Sequence, residues 1–145
     1  PVTGTLNTIE VPGASSVIES ETTAINPGET KTLISVEGSG KVEGLMFKMW
    51  IYEGGAHPGN CKLHFVIDGV DYALIFSHLA DIFECRTDTV SPFSLTVYDD
   101  AAGDWGFALN KPIEFRSSFQ LKVESTAAPD NIFHVKAYAL ITLIN

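Results

Sequence analysis

The residues best suited to chemistry are three carboxylates and a tryptophan in one short segment, Asp99, Asp100, Asp104 and Trp105. Ca²⁺ prefers oxygen ligands and takes roughly six to eight of them. The spacing lacks the alternating acids and closing glutamate of an EF-hand loop. Two interpretations stay open. For the carboxylates these are a Ca²⁺ site or a solvated acidic loop. For Trp105 they are a sugar-stacking platform or an anchor in the end of the sandwich.

The other reactive side chains form no catalytic signature. The histidines, His57, His64, His78 and His134, form no HxH or HExxH set. His64 and His134 fall on the polar side of their segments, which predicts surface or cross-strand hydrogen bonding. There is no GxSxG elbow, and nothing marks any pair among the 18 acids for glycosidic acid/base chemistry. We therefore expect a protein that is not an enzyme.

The two cysteines, Cys61 and Cys85, bracket a predicted hairpin. A disulfide between them is geometrically conceivable and would contribute roughly 3 kcal/mol by the loop-entropy argument. A chain of 145 residues can bury enough apolar surface without a covalent bridge. Two buried thiols are therefore the favoured alternative.

The charge of the chain excludes some partners. Its formal net charge is −9, and its isoelectric point is near 4.7. Such a surface repels phosphate backbones and anionic lipids, so we expect neither nucleic acid nor membrane as a partner. No apolar run approaches the ~18 residues of a membrane span.

Apolar and polar side chains alternate from about residue 31 to the C-terminus, a pattern typical of half-buried β-strands. Asp68-Gly69 between two such runs predicts a two-residue hairpin. Eight strands are predicted, at Thr32–Glu37, Val42–Tyr52, Lys62–Asp68, Val70–Phe76, Phe93–Tyr98, Gly106–Leu109 with Ile113–Phe115, Phe119–Glu124 and Phe133–Ile144. Their number and spacing predict an all-β fold, an antiparallel eight-stranded sandwich of jelly-roll type.

Residues 1–24 differ from the predicted sandwich domain of residues 25–145. They are rich in Thr, Ser, Gly and Pro, and we interpret them as an extended N-terminal arm or a set of short edge strands. A disordered tail is the alternative. Apolar side chains suited to docking on a partner are Ile9, Val11, Val17 and Ile18. Trp50 and Tyr52 share the mixed face of a long strand, where they serve an interface or fill the far side of the sandwich.

Three segments carry a resemblance to known families: VEGSGKVEGL at 36–45, FVIDGV at 65–70 and PIEFRSSFQLKV at 112–123. Their order resembles the jelly-roll units of viral and phage structural proteins, and of a glycoside hydrolase family assembled as trimers. That family is about twice as long, and none of its catalytic carboxylates can be placed here. The chain also looks like a capsid decoration protein of a tailed phage, in size and in its arm.

The decoration-protein resemblance implies a homotrimer that attaches to a capsid or other shell protein in the virion. We accordingly expect a non-enzymatic structural protein without a cofactor. The alternative is an extracellular carbohydrate-binding module of a larger secreted protein. That module would use Trp50, Tyr52 or Trp105 as sugar platforms, with Ca²⁺ at the acidic loop.

Overall fold

The alternating segments form eleven strands and one short helix in the part of the chain that the structure describes. This computed structural model describes residues 15–53, 61–82, 85, 93–99, 101–125 and 132–144. The elements are β1 Ser15–Glu19, β2 Thr23–Ile25, β3 Thr30–Glu37, β4 Gly40–Glu53, β5 Lys62–Ile67, β6 Val70–Ile75, α1 Phe76–Asp81, β7 Phe93–Asp99, β8 Asp104–Leu109, β9 Ile113–Phe115, β10 Ser118–Glu124 and β11 Ile132–Leu143.

The strands lie in two antiparallel sheets. Sheet A has the order β1-β11-β4-β8-β7, with β2 beside β11 and β9 beside β4, and sheet B has the order β3-β10-β5-β6. The chain passes from one sheet to the other between β2 and β3, β3 and β4, β4 and β5, β6 and β7, β9 and β10, and β10 and β11. These crossings build an antiparallel sandwich of jelly-roll type, which confirms the predicted fold class.

Three described strands exceed the predicted eight. β9 is a separate short strand beside β4. β1 and β2 come from the segment interpreted as an extended arm or a set of short edge strands, and its described residues form edge strands. β1 pairs with β11 along its whole length, from Ser15 opposite Thr142 to Glu19 opposite Tyr138. Residues 15–19 and 23–25 therefore form an edge of sheet A, whereas residues 1–14 lie outside the described part of the chain.

The core lies between the two sheets and is rich in aromatic side chains. Phe76 of the short helix stacks on Phe47 with ring centroids 5.5 Å apart and contacts Trp105 at 5.9 Å. Cys61 and Cys85 are buried in the same core as thiols, which is the alternative that the sequence favoured. The six-residue helix α1 thus covers this part of the core with the side chain of Phe76.

The predicted Asp68-Gly69 hairpin is confirmed. Asp68 and Gly69 have φ angles of 52° and 82°, the left-handed values that a type I′ turn requires. Asp68 Oδ1 accepts hydrogen bonds from the backbone N–H groups of Arg116, Ser117 and Ser118 at 2.8, 2.7 and 3.2 Å. The turn is thereby tied to the connection between β9 and β10.

The same hydrogen bonds lower the pKa of Asp68 from its ordinary value of 3.8. The bond from the Ser117 N–H is the largest cause, and desolvation of the carboxylate opposes it. A depressed pKa in the folded state means that the charge stabilises the fold above pH 3.8. That contribution is lost as the pH falls through the folded-state pKa.

We expect Asp68→Asn to lower the melting temperature at neutral pH, with a deficit that shrinks as the pH drops below 3.8. Asparagine tolerates the positive φ, so the loss reports the charge rather than backbone strain. Thermal unfolding from about pH 7 to about pH 2.5 measures the difference. Glu53→Gln, which removes an exposed carboxylate at the end of β4, is the control. A deficit that is constant over this range would contradict the assignment.

Candidate functional site

The outer face of sheet A carries a band of exposed apolar side chains. The register of β1, β11, β4 and β8 sets Val17 opposite Leu140, Tyr138 opposite Met46, and Met46 opposite Ala108. Met46 is 52% exposed, and Val17, Tyr138 and Leu140 are also exposed. We call these four residues, Val17, Met46, Tyr138 and Leu140, the apolar band. It crosses three neighbouring strands without a polar side chain between its members.

Two surface cavities flank the side chains of Met46 and Tyr138. One has a volume of about 290 Å³ and is lined by Lys48, Trp50, Thr96 and Lys136 as well as by these two. The other has a volume of about 300 Å³ and includes Gly44, Ala108, Asn110 and Leu140 in its wall. The small residues Gly44 and Ala108 make the second cavity, because larger side chains there would fill it. The surface at the band is therefore uneven, with a cavity on either side of Met46 and Tyr138.

Two lysines lie beside the band on the outer face of sheet A, and each forms an ion pair with an acidic side chain. Lys48 and Lys136 are directly opposite each other on β4 and β11, where like charges repel. Lys136 Nζ forms an ion pair with Glu19 at 2.7 Å, and Lys48 Nζ lies 3.5 Å from Asp104 Oδ1. Lys48 also lies over the ring of Trp50, with 5.6 Å from Nζ to the ring centroid. Each lysine thus has an acidic partner.

An aromatic cluster continues the same face beyond the lysines. Tyr52 stacks on His134 with centroids 4.4 Å apart, and Trp50 meets the edge of the same imidazole at 5.5 Å. His134 lies opposite Trp50 in the pairing of β11 with β4. Tyr52 is 60% exposed, which makes it the most exposed aromatic side chain among the described residues.

The structure brings three of the predicted partner-binding residues onto this one face: Val17, Trp50 and Tyr52. Ile18 instead is fully buried in the core, because it follows Val17 in a strand and points to the opposite side. Ile9 and Val11 lie outside the described residues. Val17 and Tyr52 are thus available to a partner, and Ile18 is not.

Sequence reasoning did not name Met46, Tyr138 or Leu140 as partner-binding residues, although alternation along β4 places Met46 on the same face as Trp50 and Tyr52. A signal for two of them exists in β11, whose outward positions are polar at His134 and Lys136 but apolar at Tyr138 and Leu140. Apolar residues in both registers of the second half of this strand mark a sheet face that is not fully solvated.

The structure anchors Trp105 in the core, which is one of the two alternatives that the sequence left open for this residue. Trp105 is in β8, 1% exposed, with its ring against Phe76. Asp99 lies opposite Asp104 and accepts a hydrogen bond from Ala102 N–H at 3.0 Å, which closes the turn. Among the described residues no group of three or more His, Cys, Asp or Glu side chains could hold a metal ion. Asp100 lies outside these residues.

A second polar cluster lies on sheet B. His64 Nδ1 is 2.9 Å from Asp71 Oδ2, and His64 Nε2 is 2.8 Å from Glu124 Oε1. The imidazole therefore links β6 to β10 across β5, which confirms the predicted cross-strand hydrogen bonding. Carboxylate oxygens lie within hydrogen-bond distance of both ring nitrogens, so the cluster joins three neighbouring strands of sheet B.

Fold and surface together define the class of this molecule as an antiparallel sandwich of jelly-roll type with an apolar band on the outer face of sheet A. The chain matches no known protein-family model. A search for curated relatives also found no match. No helix in the described part of the chain is long and apolar enough to cross a membrane.

Proposed function

We propose that the chain is a non-enzymatic structural protein of a virion, a capsid decoration or minor shell component, that acts by self-association. The observation that carries the proposal is the apolar band on the outer face of sheet A. The expected assembly is a homotrimer that attaches to a capsid or other shell protein. Ile9 and Val11, which precede the edge strand β1, are proposed to contribute to that attachment.

The composition of the face supports an interface. Cores of protein interfaces are enriched in aromatic residues and methionine and depleted of charge, with a polar rim around them. The band has this composition, and the ion pairs Lys136–Glu19 and Lys48–Asp104 supply its rim. Fully burying one such apolar side chain is worth about 1.5–3 kcal/mol. The four side chains of the band are already about half-buried in the single chain, so covering each of them gains only part of that amount. Together they offset part of the entropy lost on association.

A second candidate function is favoured by the aromatic cluster. Tyr52 and Trp50 are the side chains that a carbohydrate-binding module would use as sugar platforms, and Tyr52 is largely exposed. Trp105 no longer belongs to that hypothesis because it is buried. Tyr52 already stacks on His134 with one face of its ring, so at most its other face is open to a sugar.

We expect Met46→Lys to weaken self-association at least tenfold, about 1.4 kcal/mol or more, because it places an ammonium group within the apolar band, beside Tyr138. Light scattering over a concentration series measures the mass. The wild-type protein should reach three times its chain mass of 15.7 kDa, and the variant should need a higher concentration to do so.

Ile82→Lys is the matched control, since it charges a similarly exposed apolar side chain outside sheet A. It should associate like the wild type. If both variants associate like the wild type, the band is not the interface. A monomeric wild-type protein that is retarded by polysaccharide in a native gel, with the retardation lost in Tyr52→Ala, would establish the second candidate instead.

A further inference from the structure

β6 is an edge strand of sheet B, and no described strand pairs with its other side. Val70, Asp71, Tyr72 and Ala73 are all exposed. Tyr72 lies opposite the buried Phe65, so its ring is on the core-facing side of the sheet, yet it is 55% exposed. Sheet B therefore extends past the covered part of the sandwich at this edge.

The free side of β6 has a defined pattern of hydrogen-bonding groups. The turn at Asp68-Gly69 closes with a bond between Ile67 and Val70, and bonded pairs then alternate along an antiparallel ladder. The Phe76 N–H donates to the Cys61 carbonyl at 3.2 Å, which agrees with that alternation. Asp71 and Ala73 fall between the bonded pairs. Their N–H and C=O groups therefore point away from β5.

β6 lacks a bulge, a lysine and a proline, and its one charged side chain, Asp71, is paired with His64. Native edge strands are commonly blunted by bulges, lysine, proline or shortness. In the described residues β7 has a register shift between Leu95 and Val97, and β3 has one opposite Leu121 and Lys122. β1 is only five residues long. β6 pairs in unbroken register over its six residues and contains neither lysine nor proline.

We propose that β6 pairs with β6 of a second copy of this chain, antiparallel about a two-fold axis at Tyr72, so that the two copies of sheet B become one continuous sheet. Asp71 and Ala73 of each copy then exchange backbone hydrogen bonds with Ala73 and Asp71 of the other. The two Tyr72 rings face each other as a cross-strand aromatic pair. This contact uses a different sheet from the apolar band and stands independently of it.

The chemistry of the edge favours a second copy as its occupant. A two-fold axis places the same donors opposite the same acceptors, so an antiparallel edge is complementary to itself. Each Asp71 meets Ala73 rather than a like charge, and its carboxylate is already bound by His64 at 2.9 Å. The contact area of one strand pair is small, so the pairing is weak and populated at high local concentration.

Cysteine cross-linking of the full chain tests the geometry. Residues that face each other between bonded pairs have Cα atoms about 4.5 Å apart, which lies within the disulfide range of about 4.4–6.8 Å. Tyr72→Cys should therefore form a covalent dimer under mild oxidation. Val70→Cys is the matched control, because Val70 is equally exposed at 52% but would lie more than about 12 Å from its counterpart. The wild-type chain shows how much cross-linking arises from the buried cysteines Cys61 and Cys85.

We expect Tyr72→Cys to cross-link about tenfold faster than Val70→Cys or more, because only its thiol pair has the required separation. Adding Ala73→Pro, which removes an outward N–H unused within sheet B, should lower that rate to the control level. Met46→Lys should leave it unchanged, which separates this contact from the proposed function. Equal rates for the two cysteine variants would overturn the pairing and leave the edge to a strand of another protein. A cross-linking rate of Tyr72→Cys that does not change when Ala73→Pro is added would also overturn the pairing.

Discussion

Replacing Gly40 with alanine is expected to destabilise the fold by about 3 kcal/mol, because the added methyl group has no space. A Cβ at Gly40 would lie 2.5 Å from the Thr142 carbonyl oxygen, 2.9 Å from Phe115 Cζ and 3.2 Å from Leu143 Cα. Gly40 lies between β11 and β9 at the start of β4. Two of the three obstacles are backbone atoms of β11. They cannot rotate away, so the strands themselves must separate.

Gly44→Ala is the matched control for this prediction. Gly44 belongs to the same strand, and a Cβ there would have no atom within 4 Å. Alanine also restricts the unfolded chain, so we expect a change of less than about 1 kcal/mol, in the stabilising direction. Urea unfolding of both variants at equal protein concentration measures the two free energies. Similar losses in both would show that backbone freedom, rather than the contact with β11, requires glycine at position 40.

The second large effect is expected at Trp105. Trp105→Ala should reduce the free energy of unfolding by about 3–5 kcal/mol, as is usual for a buried aromatic side chain. The ring is 1% exposed and packs against Phe76, which in turn stacks on Phe47. Removing it would leave a cavity between sheet A and α1, because neither β8 nor α1 can close over the gap without breaking its own contacts.

Tyr52→Ala provides the comparison for Trp105→Ala. Tyr52 is a large aromatic side chain on the outer face, and its loss should change the free energy of unfolding by less than about 1 kcal/mol. Denaturant unfolding followed by far-ultraviolet circular dichroism gives both values without relying on tryptophan emission. A small loss in Trp105→Ala would contradict its place in the core and restore it as a ligand-binding side chain.

Strand positions were predictable where apolar and polar residues alternate over six residues or more. The predicted strand at Lys62–Asp68 differs by one residue from β5, and the hairpin at Asp68-Gly69 is confirmed. Sequence alone left open whether the first residues form an extended arm, short edge strands or a disordered tail, because β1 and β2 are short and bring only one apolar pair and one isoleucine. What fixes them is pairing with β11, more than a hundred residues later in the sequence.

The candidate surface was only partly predictable, because it too depends on pairing between strands that are far apart in the sequence. The mixed face of β4 with Trp50 and Tyr52 follows from local alternation. Val17 and Ile18 are adjacent and equally apolar, so sequence alone does not say which of them points outward. The band itself depends on Tyr138 lying beside Met46 and Leu140 beside Val17, which are contacts set by strand order. Sequence alone left open whether Trp105 is exposed or anchored in the core, because the acids and the glycine before it suggested a longer loop.

The most direct test of the central claim is oxidative footprinting of the two methionines during association. Met46 is 52% exposed in the apolar band, whereas Met49 is 0% exposed in the core of the same strand. Trypsin cleavage after Lys48 separates them, so each is quantified in its own peptide. We expect hydroxyl-radical labelling of Met46 to fall as the protein assembles and labelling of Met49 to stay low throughout. Labelling of Met46 that is equal in the monomer and the oligomer would contradict the account.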